Sequence, residues 1–198
     1  VPGDVPHDLP RDTGVLITKD SNFIFQVHYT ANGKAASEVT HVALYFEDAP
    51  PKYPLRNTVF IDTDLKIPAN TKAHTVSLSR TFDRDVLIYT LMPHAHVRGD
   101  AAEYVVKYPD GKEEVLLSVP KYDFNWQTTY ELKTPKLLPK GSVVTYSTTY
   151  DNSTQNKANP DPNIEVRWGE QTWEEMLYGD VRFRYPDEVV TSSQLTSR

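Results

Sequence analysis

The chain has 198 residues, a formal net charge of −6, 38% hydrophobic and 24% charged residues, and no cysteine. That length suits one large domain or two small ones with a real core. The charge is spread without a basic cluster, which argues against nucleic-acid binding; no apolar run approaches the roughly 20 residues of a membrane span; and the lack of thiols excludes disulfides, thiolate catalysis and zinc–thiolate sites.

Residues 1–20 are proline-rich and irregular, and no signal peptide opens the chain. Asn22 to Thr30 alternates, with Phe23, Phe25, Val27 and Tyr29 on one face and Ile24, Gln26 and His28 on the other, which predicts a strand. Ala31-Asn32-Gly33-Lys34 is a turn, and Val42, Leu44 and Phe46 mark a second strand from His41 to Glu47. After the loop Asp48 to Tyr53 come a short β-like run, Thr58 to Asp62, a turn at Ile67-Pro68-Ala69-Asn70, and further alternation from His74 to Leu78. Val86 to Leu91 is a strand that feeds Pro93-His94-Ala95-His96. Tyr104 to Tyr108 and Glu114 to Val119 flank Pro109-Asp110-Gly111, whose turn chemistry predicts a hairpin. Trp126 to Leu132 and Ser142 to Tyr150 are further strands, Asp151 to Asn163 a long polar loop, and Ile164 to Trp168 and Leu177 to Tyr185 the last strands. The polar tail from Pro186 is expected to be mobile.

No segment keeps a helical period over three turns, and the Val, Thr, Tyr and Pro content favours strands. Roughly nine to eleven short strands predict an all-β fold, an antiparallel β-sandwich of jelly-roll-like form.

His94 and His96 carry the clearest chemical signal. In a strand, residues i and i+2 share a face about 6–7 Å apart, so both imidazoles can reach one metal ion. All six histidines lie at or before position 96. The Glu and later His that would complete a cupin-like set are missing, since Glu103 comes too late. A three-histidine zinc site would need His7, His28, His41 or His74 to converge on the pair. A thioether from Met176 would instead give a His₂Met set, which suits copper. Against these stand plainer readings: a hydrogen-bonded cluster with Arg98 and Asp100, and a methionine that fills core space.

His28 is either a half-buried structural residue or a ligand to a second metal. His7, His41 and His74 read as structural or surface residues. Trp126, Trp168 and Trp173 line a cleft or fill the core. The loop Asp151 to Asn163 caps its own backbone or binds calcium, and Asn152-Ser153-Thr154 matches a glycosylation sequon. Asp123, Glu174 and Glu175 lie near aromatic positions without the spacing of a general acid/base pair. The chain has no Gly-rich phosphate loop and no Gly-x-Ser-x-Gly elbow.

Gln26-Val27-His28-Tyr29, Ile67-Pro68, the Val86–Gly99 run with His94-x-His96-x-x-Gly99, and Gln171-Thr172-x-x-Glu175-Met176 occur in this order. Asp123-Phe124-Asn125-Trp126-Gln127-Thr128 and Asp151-Asn152-Ser153 are further family-like strings. The set, across residues 22 to 185, resembles the C-terminal domain of the type II ascorbate-dependent copper monooxygenases, the family of peptidylglycine α-hydroxylating monooxygenase and dopamine β-hydroxylase, in its bacterial branch. The resemblance implies a jelly-roll-like sandwich in which His94, His96 and Met176 bind the copper that activates dioxygen for C–H hydroxylation. It implies that His28 belongs to a second copper, which only delivers an electron, with ascorbate or another donor as the source.

In the family the other ligands of that second copper are adjacent histidines in a preceding domain, and this chain has no His-His pair. The implied organisation is residues 1–35 as the end of a preceding copper domain, residues 36–185 as the monooxygenase-like sandwich, and residues 186–198 as a tail. The family's peptide-binding Arg, Asn and Tyr are replaced here by Met92, Tyr178 and Asp180, which disfavours an anionic peptide terminus. The substrate, a small molecule or a peptide, is open. A periplasmic or secreted location is expected. The alternative function is a non-catalytic copper-binding or partner-binding β-sandwich module.

Overall fold

The computed structural model describes every residue except 1, 4, 6, 7, 18, 19, 30, 31 and 192–198. His7, the junction of the first predicted strand with its turn, and the end of the tail therefore lie outside the described residues. Among the described residues the chain forms strands and no helix: β1 (Thr13–Gly14), β2 (Tyr53–Pro54), β3 (Arg56–Ile61), β4 (Lys66–Ile67), β5 (His74–Thr81), β6 (Val86–His94), β7 (Gly99–Lys107), β8 (Glu113–Val119), β9 (Tyr130–Leu138), β10 (Val143–Tyr150), β11 (Val166–Arg167) and β12 (Tyr178–Arg184). No described helix is long and apolar enough to cross a membrane.

Two four-stranded antiparallel sheets, in the orders β5-β10-β7-β8 and β3-β12-β6-β9, make the predicted all-β sandwich. The alternation that predicts the strands also builds the core. Tyr104 and Val106 from β7, Val144 and Tyr146 from β10, and Val181 and Phe183 from β12 point inward against Ile88 and Leu91 of β6. Tyr104 and Tyr146 stack at 4.5 Å, and Phe60 meets both edge-on at 6.1 Å. Outward-facing positions are polar where β5 meets β10: Thr75–Thr149, Ser77–Ser147 and Ser79–Thr145 pair their hydroxyls at 2.8 Å. The Asp110-Gly111 hairpin forms as predicted, with Gly111 at φ 87° and the Tyr108 N–H donating to the Lys112 carbonyl at 2.8 Å. A smaller cluster of Leu65, Ile67, Ala95, Tyr122, Tyr150 and Val166 closes the end of the sandwich where β6 runs out.

Two predicted strands do not form. Residues 22–29 and 41–47 have no strand pairing, and their apolar side chains lie bare on both faces: Ile24 is 94% exposed, Phe25 62% and Tyr45 96%. Alternation prepares a strand, but without a neighbouring edge its backbone groups have no ladder to join. Other boundaries move. The strand predicted from Trp126 to Leu132 runs from Tyr130 to Leu138, the one predicted from Tyr104 begins at Gly99, the one predicted to Leu91 runs on to His94, and the one predicted at Ile164–Trp168 shrinks to Val166–Arg167, while Ile67, read as turn, pairs in β4. The first tail residues are held down: Glu188 takes Arg56 through both carboxylate oxygens, at 2.6 and 3.1 Å, and the Val190 N–H reaches the Lys52 carbonyl.

Candidate metal centre

His94 ends β6, pairing in register with Tyr178 of β12. It faces outward with Met92, away from the core. His96 lies in the turn that follows, and the two rings stand 5.3 Å apart at their centroids. Two imidazoles sharing one ion through nitrogens at about 2.1 Å, at a near-tetrahedral angle, have centroids roughly 5 Å apart. The observed spacing fits that arrangement.

The Nδ1 atom of each ring is taken by the protein. His94 Nδ1 meets the Gln127 side-chain oxygen, and His96 Nδ1 lies 3.2 Å from the Glu174 carbonyl. Both partners are acceptors, so each Nδ1 carries the proton and each Nε2 keeps its lone pair. This is the orientation that a metal-binding histidine is given by its supporting hydrogen bond. Gln127 is 1% exposed, and its amide nitrogen donates to the Phe124 carbonyl at 2.7 Å, which aims its oxygen at His94. Burial lowers the His94 pKa to about 4, and the His96 charge adds to this against the Gln127 hydrogen bond. Burial also lowers the His96 pKa against the Glu174 and Gln171 carbonyls, and the charge of His28 acts in the same downward sense. Both rings are thus held neutral, the form a metal requires.

The turn that carries the pair is clamped by two side chains, and the Met176 run beside it by a third. The Tyr122 hydroxyl donates to the Ala95 carbonyl at 2.8 Å and accepts from the Ala95 N–H at 3.0 Å. The Glu175 carboxylate accepts from the backbone N–H of His96 at 2.7 Å and of Arg98 at 2.6 Å. Tyr150, from the opposite sheet, donates to the Met176 carbonyl at 2.8 Å. Gly99 is required by space: a Cβ there would lie 2.8 Å from Ala95 Cβ and from the Tyr122 ring. Glu175 is completely buried, and burial pushes its carboxyl up to about 7 against those backbone donors and the charge of Arg98. Arg98 is also fully buried, its Nε donating to Asn152 Oδ1 and its Nη1 to the Trp173 carbonyl, both at 2.9 Å.

Met176 lies two residues before Tyr178, on the run that leads into β12. Leu177 between them is fully buried, while Met176 and Tyr178 are half-buried, so Met176 shares the outward face of Tyr178 and His94. Among the described residues no three His, Cys, Asp or Glu side chains gather as a metal group. The zinc alternative through His28, His41 or His74 is therefore not assembled. His41 and His28 are exposed, and His74 opens β5. A third ligand from this neighbourhood would be the thioether.

The long polar loop supports the pair and binds nothing through Asn152. That amide is fully used: its oxygen accepts from Arg98 and Asn159, and its nitrogen donates to the Pro68 and Ile164 carbonyls. Being 0% exposed, it is no glycan acceptor in the folded chain. Asn156 likewise donates to the carbonyls of Val97 and Asp151. Trp126 and Trp173, at 63% and 61% exposed, are not core residues, whereas Trp168 packs on the smaller cluster. The residues that sequence reasoning misses are Gln127, Tyr122 and Tyr150. For Tyr150 the signal is general: a tyrosine on an inward strand position needs a partner for its hydroxyl. Tyr122 lies between strands and gives no such signal.

The fold and site together define an all-β sandwich with a neutral histidine pair, His96 buried and His94 half-buried, at the end of one sheet. No protein-family model matches the chain, and no curated protein sequence does. Solved structures with some likeness include viral particles. The VP2 subviral particle of infectious bursal disease virus shares 12% identity over 73% of this chain and 37% of that chain, with a TM-score of 0.33. The T13 particle of the same virus shares 9% identity over 78% of this chain and 45% of that one, with a TM-score of 0.30. This chain spans less than half the length of either. The sandwich stands on the chain's own sheets, and these likenesses say nothing about function.

Proposed function

We propose that the chain is a copper domain of the ascorbate-dependent monooxygenase type, with the ion held by His94, His96 and Met176. The observation that carries this reading is the pair of Nδ1 contacts to Gln127 and Glu174, which leaves two neutral Nε2 atoms for one ion. A soft thioether on the same face favours Cu(I), while imidazole serves both oxidation states. A copper ion bound there supplies dioxygen activation for C–H hydroxylation, with ascorbate or another donor as the source of electrons.

The chain's own groups prepare the site. Gln127 and the Glu174 carbonyl fix the ring orientations, and Glu175 ties the histidine turn to the Met176 run. The rings of Phe124, 6.4 Å from His96, and Tyr178, 5.9 Å from His94, shield the flanks from water. Met92 and Asp180 face each other across β6 and β12, and Asp180 accepts from Asn57 at 2.9 Å. An anionic substrate end would meet that carboxylate, so the substrate is neutral or cationic on this side. The unpaired alternating runs around Phe25 and Leu44 support a further unit with which they would pack, the preceding domain with the second copper and His28. A thiol-free chain suits the periplasm or a secreted location.

The second reading, a copper-binding module without turnover, draws on the lack of an adjacent histidine pair in this chain. Because this chain lacks the adjacent histidines of the electron-delivering copper, ascorbate-dependent dioxygen uptake is measured on the copper-loaded chain joined to an upstream segment of its gene that carries such a pair; uptake there supports the oxygenase, and none supports the module. Titration of Cu(I) and Cu(II) tests the site itself. One equivalent is expected to bind, and Met176→Ala is expected to weaken Cu(I) by about tenfold or more while Cu(II) changes little. An unchanged Cu(I) affinity in that variant rules the assignment out.

A further inference from the structure

The side chain that orients His94 stands outside the sheet. Ladder pairing of β6 with β9 ends at Leu91 and Tyr130. Gln127, whose side-chain oxygen meets His94 Nδ1, lies three residues before that last pair. Its loop is shaped by bonds of its own. Asp123 Oδ1 accepts from the Asn125 N–H at 2.8 Å, and the Trp126 N–H donates to the Asp123 carbonyl at 2.9 Å. The Gln127 amide nitrogen donates to the Phe124 carbonyl at 2.7 Å. These three bonds fix the loop internally and leave its seat against His94 to something else.

Pro2 and Gly3 supply a hold from more than a hundred positions away. The Gln127 backbone N–H donates to the Pro2 carbonyl at 2.8 Å. Gly3 lies flat on the same loop. A Cβ there would stand 2.8 Å from the Asn125 carbonyl oxygen, 2.8 Å from Trp126 Cα and 3.1 Å from the Gln127 nitrogen. Carbon atoms pack at about 3.5–4.0 Å, and all three neighbours are backbone, so the loop itself would have to move. Gly3 also has φ 83°, where a side chain is strained in any case. The consequence reaches the histidine pair through one proton. A neutral imidazole carries its proton on either nitrogen, and the hydrogen bond made by one of them decides which. With Gln127 seated, the proton is on His94 Nδ1 and Nε2 is open. With the loop displaced, Nδ1 loses its acceptor and the proton is free to move to Nε2, closing it to a metal. The same displacement takes Phe124 from its place 6.4 Å from the His96 ring.

We propose that Gly3, together with the Pro2 carbonyl, is a positioning residue of the histidine pair: it seats residues 123–127 so that Gln127 sets the His94 tautomer and keeps Nε2 open. Its bearing on copper rests on the His94, His96 and Met176 reading; its bearing on the tautomer does not.

The test is nitrogen-15 NMR of the metal-free full chain at neutral pH, which reads the tautomer of each histidine ring. Wild type is expected to carry the His94 proton on Nδ1. Gly3→Val is expected to shift the ratio of the two His94 tautomers toward Nε2–H by about fivefold or more, the bias that one ordinary hydrogen bond sets. Gln127→Met removes the acceptor itself and is expected to shift the ratio at least as far. A His94 tautomer unchanged in folded Gly3→Val but shifted in Gln127→Met overturns the proposal, and so does a wild-type proton on Nε2. Should Gly3→Val fail to fold, hydrogen exchange at the wild-type Gln127 amide carries the test. Exchange slowed about tenfold or more supports the bond to Pro2, and exchange at the open-chain rate overturns it. Cu(I) titration of Gly3→Val separates this proposal from the copper reading. With the tautomer shifted, a severalfold loss of Cu(I) affinity supports both, whereas an unchanged affinity upholds the positioning role and tells against the Nε2 copper site.

Discussion

The run Phe23 to Tyr29 and strand β10 carry the same kind of alternation and come to opposite ends. In β10, Val144, Tyr146 and Tyr150 are fully buried, with β5 on one side and β7 on the other. In the earlier run, Phe23, Phe25, Val27 and Tyr29 are between 46% and 70% exposed and the backbone pairs with nothing as a strand. Periodicity fixes which side chains share a face. It does not provide the edge to pair with or the surface to bury against, and those decide whether a strand is stable. The sandwich therefore owes its stability to groups that tie strand to strand, and its breaking points should be found there.

The largest effect is expected at Glu175. This buried carboxylate joins the histidine turn to the run entering β12 through the N–H groups of His96 and Arg98, and it is the carboxylate whose charge bears most on buried Arg98. Glu175→Ala leaves two buried donors and a buried guanidinium uncompensated, and should cost about 3–5 kcal/mol. Urea unfolding of the metal-free chain measures it. A loss below about 1 kcal/mol would mean that the clamp is not what holds these two strands together.

How much of this the sequence discloses depends on where a group's partner lies. Most of the strands from β3 onward are legible because their apolar positions have facing positions in the same chain, whereas Lys66–Ile67, read as the edge of a turn, pairs as β4. The shared face of His94 and His96 is legible from spacing alone. Met176 joins that face only through the register of β12 on β6, which local patterning does not contain. Glu175 enters the sequence reading as a carboxylate near aromatic positions and within the Gln171-Thr172-x-x-Glu175-Met176 string, and neither hints that its oxygens will meet backbone N–H groups from a turn almost eighty positions away. The Glu174 contact to His96 is made by a carbonyl, and no side-chain identity encodes it.

A smaller effect is expected from pH. His94 titrates at about 4 in the folded chain because burial disfavours its charged form, against an ordinary value of 6.5. The folded state therefore holds this proton less tightly than the unfolded chain does. Stability from neutral His94 is present in full above the unfolded value and is lost as pH falls from about 6.5 to 4, amounting to about 3 kcal/mol at the acid end. Glu175 works in the opposite sense, because its raised pKa favours the protonated folded state below about 7. The difference between wild type and His94→Gln removes that background. The variant should gain on wild type by about 3 kcal/mol between pH 7 and pH 4 in metal-free protein. A difference that stays flat would show that the imidazole is solvated and the site open.

The smallest effect belongs to the unpaired runs, and it bears most directly on the contrast with β10. Tyr45 is 96% exposed, and no neighbouring strand pairs with its segment. Tyr45→Ser should change the stability of the isolated chain by less than about 0.5 kcal/mol. The same loss of apolar surface inside the sandwich, as in Ile88→Ala, should cost about 2–5 kcal/mol, because it leaves a cavity between two closely packed sheets. Both variants remove an apolar side chain from a run predicted to be a strand, so the ratio of their effects measures what pairing and burial add to that prediction. A loss above about 1 kcal/mol at Tyr45 would mean that its run packs against the body in solution. Its bare alternation would then no longer support a missing partner unit.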